Sequence, residues 1–71
     1  MKTLYFDLHV FINRKSGYSL GVIMEVPIGT DIQDNDVIEF AEKSNLFTEK
    51  GDGEMVDTVD EVTEIEYNNI Y

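Results

Sequence analysis

The fold is decided by residues 3–26, TLYFDLHVFINRKSGYSLGVIMEV. Apolar residues alternate with other residues in two runs of this stretch, which is typical of strands with one buried face. Each run places its apolar residues on a single face: Leu4, Phe6, Leu8, Val10 and Ile12, then Leu20, Val22, Met24 and Val26. The segment between the runs, residues 13–18, is polar and contains glycine, as turns do. The sequence therefore predicts a β-hairpin over about residues 2–26, whose apolar face the rest of the chain must cover.

The second face of this hairpin is only partly polar. In the first strand it carries the rings of Tyr5 and Phe11 together with Asp7 and His9. Exposed rings on one surface are typical of a face that is covered or that binds a partner. Gly21 in the second strand indicates a bulge or the close approach of another group. We therefore expect this face to be partly covered or to contact another protein.

One amphipathic helix is predicted over about residues 34–45. It begins either at Thr30, with a capping box to the glutamine three residues later, or at Asp34, where first-turn acids suit the helix dipole. The helix has an apolar side, with Val37, Ile38, Phe40 and Ala41, and a charged side, with Asp36, Glu39, Glu42 and Lys43.

The end of the helix and the following loop are predicted from local signals. We expect Asn45 to adopt the left-handed conformation that stops a helix, and Leu46 to fold back on Ala41 in a Schellman motif. Acidic residues and two glycines predict a mobile loop over about residues 48–58.

The last part of the chain is predicted to form a third strand, over about residues 61–67. Residues 63–67 alternate and are rich in strand-forming types. For residues 55–60, helix, strand and loop all stay open, because apolar residues recur there at about every third position. The predicted fold class is α+β: one β-β-α-β domain, residues 1–71, with a three-stranded, mainly antiparallel sheet and one helix packed on one face.

Charge is the most informative feature of the composition. The 71 residues include 15 acids and five bases, a net charge of −10. Residues 1–30 have a net charge of +1, and residues 31–71 have a net charge of −11. We therefore expect a protein partner with a basic surface, and no direct binding to nucleic acid or to membranes. The simpler alternative is that acidity only maintains solubility.

No motif for catalysis, a cofactor or a metal ion is found. Asp7 and His9 form an acid–imidazole pair on one strand face, but no nucleophile accompanies them. Residues 52–63 fail the calcium-loop pattern, because valine and aspartate occupy its fifth and sixth positions. Residues 51–53 lack the spacing of a phosphate-binding loop. We predict that the protein is not an enzyme and has no cofactor and no metal.

Two features bear on location and assembly. The lack of cysteine fits a reducing compartment, and residues 1–12 lack the apolar core of a signal peptide, so a cytoplasmic location is expected. A chain of 71 residues supports only a small core, which self-association often supplements. The alternative hypothesis is accordingly a structural or assembly module, a homodimer joined along a sheet edge or through the face with Tyr5, His9 and Phe11.

The leading hypothesis is an acidic protein-interaction module. In size, acidity and lack of cysteine the chain resembles the DNA-mimic inhibitors of phages and mobile elements, such as anti-restriction and anti-CRISPR proteins. That resemblance implies an inhibitor that occupies the basic cleft of a nucleic-acid-binding protein. Acids would steer the complex and aromatic rings would anchor it. The candidate binding residues, of which Asp60, Glu64 and Glu66 are expected on one strand face, are Asp36, Glu39, Glu42, Asp57, Asp60, Glu64, Glu66, Tyr5 and Phe11.

Overall fold

The computed structural model describes residues 1–12, 16–47 and 54–71. In chain order these form strand β1 (Lys2–Ile12), strand β2 (Ser16–Val26), helix α1 (Asp34–Lys43), strand β3 (Glu54–Val62) and helix α2 (Glu64–Ile70). Three antiparallel strands make one open sheet, and with the two helices they form a small α+β fold. Residues 13–15 of the predicted turn and residues 48–53 of the predicted loop lie outside the described residues.

The sheet has the strand order β2-β1-β3, so β1 is central and the other two strands are its edges. The predicted hairpin is present, and β1 pairs with β2 over its full length, from Lys2 opposite Val26 to Ile12 opposite Ser16. On its other side β1 pairs with β3, and Leu8 therefore lies between Leu20 of β2 and Val59 of β3.

One face of the sheet carries the hydrophobic core. Alternate residues of β1 and β2 are buried there with two residues of α1, and the set comprises Phe6, Leu8, Val10, Leu20, Val22, Met24, Val26, Val37 and Ala41. In the described part of the chain no polar or charged side chain is buried. The alternation identified this face correctly, because a one-residue shift would move every apolar side chain to the other face.

Helix α1 begins at Asp34, the second of the two starts that the sequence allowed. The backbone N–H of Gln33 donates to the Asp36 carboxylate at 2.9 Å. This bond satisfies a backbone donor next to the first turn and places negative charge at the positive end of the helix.

Helix α1 ends with the predicted Schellman motif. Asn45 has a φ angle of 59°. The N–H of Asn45 donates to the Glu42 carbonyl at 3.1 Å, and the N–H of Leu46 donates to the Ala41 carbonyl at 3.0 Å. These bonds satisfy carbonyls that the last turn leaves without helical partners, and they turn the chain away from the helix axis.

The predicted position of the third strand is wrong. The strand lies earlier, at Glu54–Val62. Residues 54–58 of the predicted mobile loop therefore belong to β3, as do residues 55–60, for which the sequence allowed helix, strand or loop. Most of the predicted strand, residues 64–67, is the start of α2. The sheet therefore has three strands as expected, whereas the predicted arrangement with one helix is replaced by two helices.

A β-bulge explains why the sequence of β3 was misleading. The pairing register with β1 shifts between His9 and Val10, which leaves Asp57 of β3 without a partner residue. Val56 and Val59 consequently both lie opposite core-face residues of β1, although they are three positions apart. A bulge adds one residue to a strand, so it turns period-two spacing into the period of about three that suggested a helix.

Helix α2 follows from a capping box that the strand interpretation missed. The Thr63 hydroxyl accepts from the N–H of Glu66, and the N–H of Thr63 donates to the Glu66 carboxylate, both at 3.2 Å. Threonine followed three residues later by glutamate is the sequence signature of this motif. Glu64 and Glu66 thus lie on a helix and do not share a strand face with Asp60.

Candidate functional site

Helix α2 lies on the face of the sheet opposite the core. The ring of Tyr67 stacks on Tyr5 of β1 with 5.3 Å between ring centroids and 51° between planes. Tyr67 also lies directly over Gly21 of β2, where a Cβ atom would be 2.6 Å from the tyrosine hydroxyl. The close approach of the Tyr67 ring therefore explains why residue 21 is a glycine. Tyr5, one of the predicted binding residues, is half-buried beneath that ring.

Tyr71 extends this contact along the sheet. Its ring lies 4.8 Å from that of Tyr67, and its hydroxyl donates to the Asp7 carboxylate at 2.5 Å. Burial raises the pKa of Tyr71 well above its usual value, and the hydrogen bond to Asp7 and the negative charge of Asp7 raise it further. The two tyrosines thus attach the helix to the second face through a ring stack and a charge-assisted hydrogen bond.

Asp7 and His9 contact different groups. Asp7 is the acceptor for Tyr71, while the His9 ring packs on Phe11 with 4.8 Å between centroids. Within the described residues no hydrogen bond joins Asp7 to His9. Phe11, the second predicted aromatic anchor, is half-buried, and its opposite neighbour on β3, Met55, is 57% exposed. This end of the second face remains partly uncovered by α2.

The predicted acids of α1 differ in what they contact. Asp36 accepts the capping hydrogen bond of the helix, so its carboxylate has a structural role. Glu39 forms an ion pair with Lys43 at 2.7 Å, and both side chains are largely exposed. This pairing raises the pKa of Lys43, through the hydrogen bond first and the charge second. Glu42 is exposed, and within the described residues its side chain has no hydrogen-bond or ion-pair partner.

The predicted acids of β3 and α2 form a second group. Asp57 and Asp60 are exposed on β3, and Glu64 is exposed in the first turn of α2. Glu66, like Asp36, accepts a capping hydrogen bond. The predicted acids do not lie on one face, because α1 packs on the core side of the sheet and α2 packs on the other.

A groove between β3 and the first half of α1 brings several of these groups together. It has a volume of about 410 Å³ and is lined by Asp34, Asn35, Ile38, Val56, Asp57, Thr58, Val59 and Asp60. Its apolar lining residues are Ile38, Val56 and Val59, and Asp34 and Asp57 are acidic neighbours of them. Asp60 also borders the groove, but it pairs with Asp7, so its side chain lies on the second face of the sheet. Asp34 was not among the predicted binding residues. Its position next to β3 could not be predicted, because the position of that strand was not known from the sequence.

Asp60 has a further neighbour that is unusual for a strand. It lies directly opposite Asp7, its pairing partner in β1. Like charges at directly opposite positions of neighbouring strands destabilise a sheet. The hydrogen bond that Asp7 accepts from Tyr71 offsets part of this repulsion.

Metal binding, membrane insertion and similarity to known proteins give no further indication of function. In residues 1–12, 16–47 and 54–71, no group of three or more His, Cys, Asp or Glu side chains could hold a metal ion. Over the same residues, no helix is long and apolar enough to cross a membrane. No family model, no curated protein and no solved structure matches the chain.

Proposed function

We propose that the protein is a non-enzymatic, acidic interaction module of the cytoplasm that binds the basic surface of another protein. In its specific form the module is a DNA mimic of the phage or mobile-element type. It occupies the nucleic-acid site of its target and presents carboxylates where the target binds phosphates. The observation that carries this proposal is the acidic edge at β3, where Asp34 and Asp57 line a groove and Asp60 lies on the other face of the same strand.

The groove suits an arginine or lysine side chain. Ile38, Val56 and Val59 supply an apolar base on which the aliphatic stem of such a residue would pack. Asp34 and Asp57 are exposed among its lining residues, where a guanidinium group would donate charge-assisted hydrogen bonds to the carboxylate oxygens. The acids of α1 and of the first turn of α2 would extend the negative surface and steer the partner during association.

The repulsion between Asp7 and Asp60 supports a functional role for Asp60. Asp60 is exposed on the edge strand beside the groove, so a basic group of a partner could approach it and offset its repulsion with Asp7. If acids only maintained solubility, an acid at any other exposed position would have the same effect, and it would not face a like charge on the neighbouring strand.

A capture experiment tests the proposal. The tagged protein is incubated with lysate of its native host, with and without excess duplex DNA, and retained proteins are identified by mass spectrometry. We expect a basic nucleic-acid-binding protein that duplex DNA displaces. The affinity of the purified pair should fall steeply as salt rises, because ion pairs between the two surfaces are screened.

Two double variants with equal changes in charge sharpen this test. Asp57→Asn with Asp60→Asn removes two carboxylates from the acidic edge strand β3, and it should raise the Kd at least about tenfold. The control, Glu25→Gln with Asp31→Asn, neutralises two exposed acids on β2 and in the following connection. It should change the Kd by less than about twofold. Equal loss of affinity in both variants, or a partner that DNA does not displace, would contradict the proposal.

A further inference from the structure

Among the residues that the structure describes, no strand pairs with the outer edge of β2, and this edge has few of the features that protect sheet edges. Within the described sheet β2 pairs with β1 alone. Its 11 residues run without a bulge, and Glu25 is the only charged residue among them. Sheet edges are normally protected by charges, bulges, proline or short length, because free N–H and C=O groups otherwise pair with another strand.

The residues around this edge are also apolar on the solvent side. Ile23, on the second face of β2, is 46% exposed. Ile28, which follows the strand, is 80% exposed, and Ile70, at the end of α2, is 49% exposed. Tyr71, the neighbour of Ile70, contacts Ser19 of β2, so the end of α2 also lies towards this edge.

Charge indicates which molecule would pair with β2. The net charge of residues 1–30 is +1, whereas that of residues 31–71 is −11, so a second copy is repelled least when it approaches through β2. A strand that pairs antiparallel with itself obeys two-fold symmetry, and it needs no sequence other than its own.

We propose that β2 pairs antiparallel with β2 of a second copy of this chain about a two-fold axis. The product is a continuous six-stranded sheet in the order β3-β1-β2-β2-β1-β3. The two acidic strands then lie at the outer ends, as far apart as the sheet allows. Each outer end keeps its own groove, and the pairing does not depend on the proposed binding of a basic partner.

Sedimentation equilibrium of the purified chain, from about 1 µM to about 1 mM, tests this pairing. The mass should rise from 8.2 kDa to twice that value as the concentration increases. Added salt, from about 0.05 M to about 0.5 M, should tighten the dimer, because it screens the repulsion between two chains of charge −10. This dependence is opposite to that expected for the complex with a basic partner, so the two proposals fail separately.

A matched pair of variants locates the interface. Ile23→Glu places a new charge beside the β2 edge, and Met55→Glu places the same charge on the same face of β3. Both side chains are exposed in the monomer, at 46% and 57%, so both variants should fold, which circular dichroism checks. Ile23→Glu should raise the dimer Kd at least about tenfold, and Met55→Glu should leave it within about twofold.

Other results overturn the pairing. A mass of 8.2 kDa at every concentration would contradict the β2–β2 pairing. An extended segment of another protein would then be the remaining candidate for pairing with this edge. A dimer that survives Ile23→Glu but dissociates with Phe11→Glu is joined through the second face instead. Single cysteines give an independent readout, since the chain has none of its own. Ser19 and Ile23 lie on one face of β2, and the register of a two-fold pairing decides whether Ser19→Cys crosslinks with itself, Ile23→Cys with itself, or each with the other, because a disulfide needs directly opposite positions. Thr58→Cys should give no crosslink in any mixture.

Discussion

The two edge strands of the sheet differ in charge and in the regularity of their pairing with β1. Strand β2 has one charged residue in 11 and pairs with β1 in an unbroken register. Strand β3 has four acids in nine residues, Glu54, Asp57, Asp60 and Glu61, and it contains the bulge at Asp57. Charges and bulges are the features that stop an edge from pairing with another chain.

The two halves of the chain thus have separate surfaces. The apolar hairpin supplies the core and leaves one pairing edge, whereas the acidic half supplies a charged edge, a groove and two helical layers. The central strand β1 belongs to both, because its core face fixes the sheet and its second face contacts α2. Variants that act on one edge at a time therefore test the comparison.

The largest difference in stability between the two edges is expected when a core-face valine of each edge strand is replaced by alanine. Val22 of β2 is fully buried, so Val22→Ala should lower the free energy of unfolding by about 2–3 kcal/mol, through lost transfer energy and an unfilled cavity. Val59 of β3 is half-buried, and Val59→Ala should lower it by about half as much. Urea denaturation of the two variants measures the difference, and equal losses would contradict the unequal burial of the two edges.

The next effect concerns the contact between α2 and β2. Gly21→Val places side-chain atoms where the Tyr67 ring lies, so α2 should leave the sheet, and the stability should fall by about 1–2 kcal/mol. A helix of seven residues is not stable alone, so its amides should lose protection from hydrogen exchange while β1 keeps its protection.

Thr58→Val is the control for this change. It adds valine on the same face of β3, at an exposed position. Protection of α2 should then be unchanged. If α2 keeps its protection in Gly21→Val as well, the ring of Tyr67 is not what requires glycine at this position.

A smaller effect of opposite sign is expected on the acidic edge. Asp60→Asn removes the repulsion with Asp7, so it should raise the free energy of unfolding by about 0.2–1 kcal/mol. Asp57→Asn, at the bulge, has no acid directly opposite and should have less effect. The midpoint of urea denaturation compares them, and a loss of stability in Asp60→Asn would show that the opposed charges are not destabilising.

The smallest effect is the dependence of α2 docking on alkaline pH. The pKa of Tyr71 is raised in the folded chain. The stability that its protonated hydroxyl contributes is therefore complete below the usual tyrosine pKa of about 10, and it is lost as the pH rises through the pKa of the folded state. Hydrogen exchange of α2 should therefore become faster, relative to β1, as the pH rises above about 10. Tyr71→Phe should remove this dependence, and its persistence would assign it to another group.

The sequence predicted the part of the fold that depends on local periodicity. Alternation in residues 3–26 identified both hairpin strands and the buried face, because a sheet with one apolar side permits one register. The stop of α1 at Asn45 and Leu46 was also predictable, since a left-handed cap is a local conformation.

The prediction failed where tertiary contacts override local pattern. The bulge at Asp57 changed the spacing of Val56 and Val59, and bulges depend on the partner strand. The capping box of Thr63 and Glu66 was visible in the sequence, but alternation suggested a strand there. The groove could not be predicted, because its residues come from α1 and β3, and the position of β3 was not known.

Amide hydrogen exchange of both edge strands in one set of samples tests the account most directly. The free chain at low concentration, the free chain at high concentration and the complex with the captured DNA-displaced protein are compared. We predict that higher concentration slows exchange in β2 alone, and that the partner slows it in β3 and α1. Slower exchange in β2 on partner binding, with β3 unchanged, would contradict the assignment of different roles to the two edges.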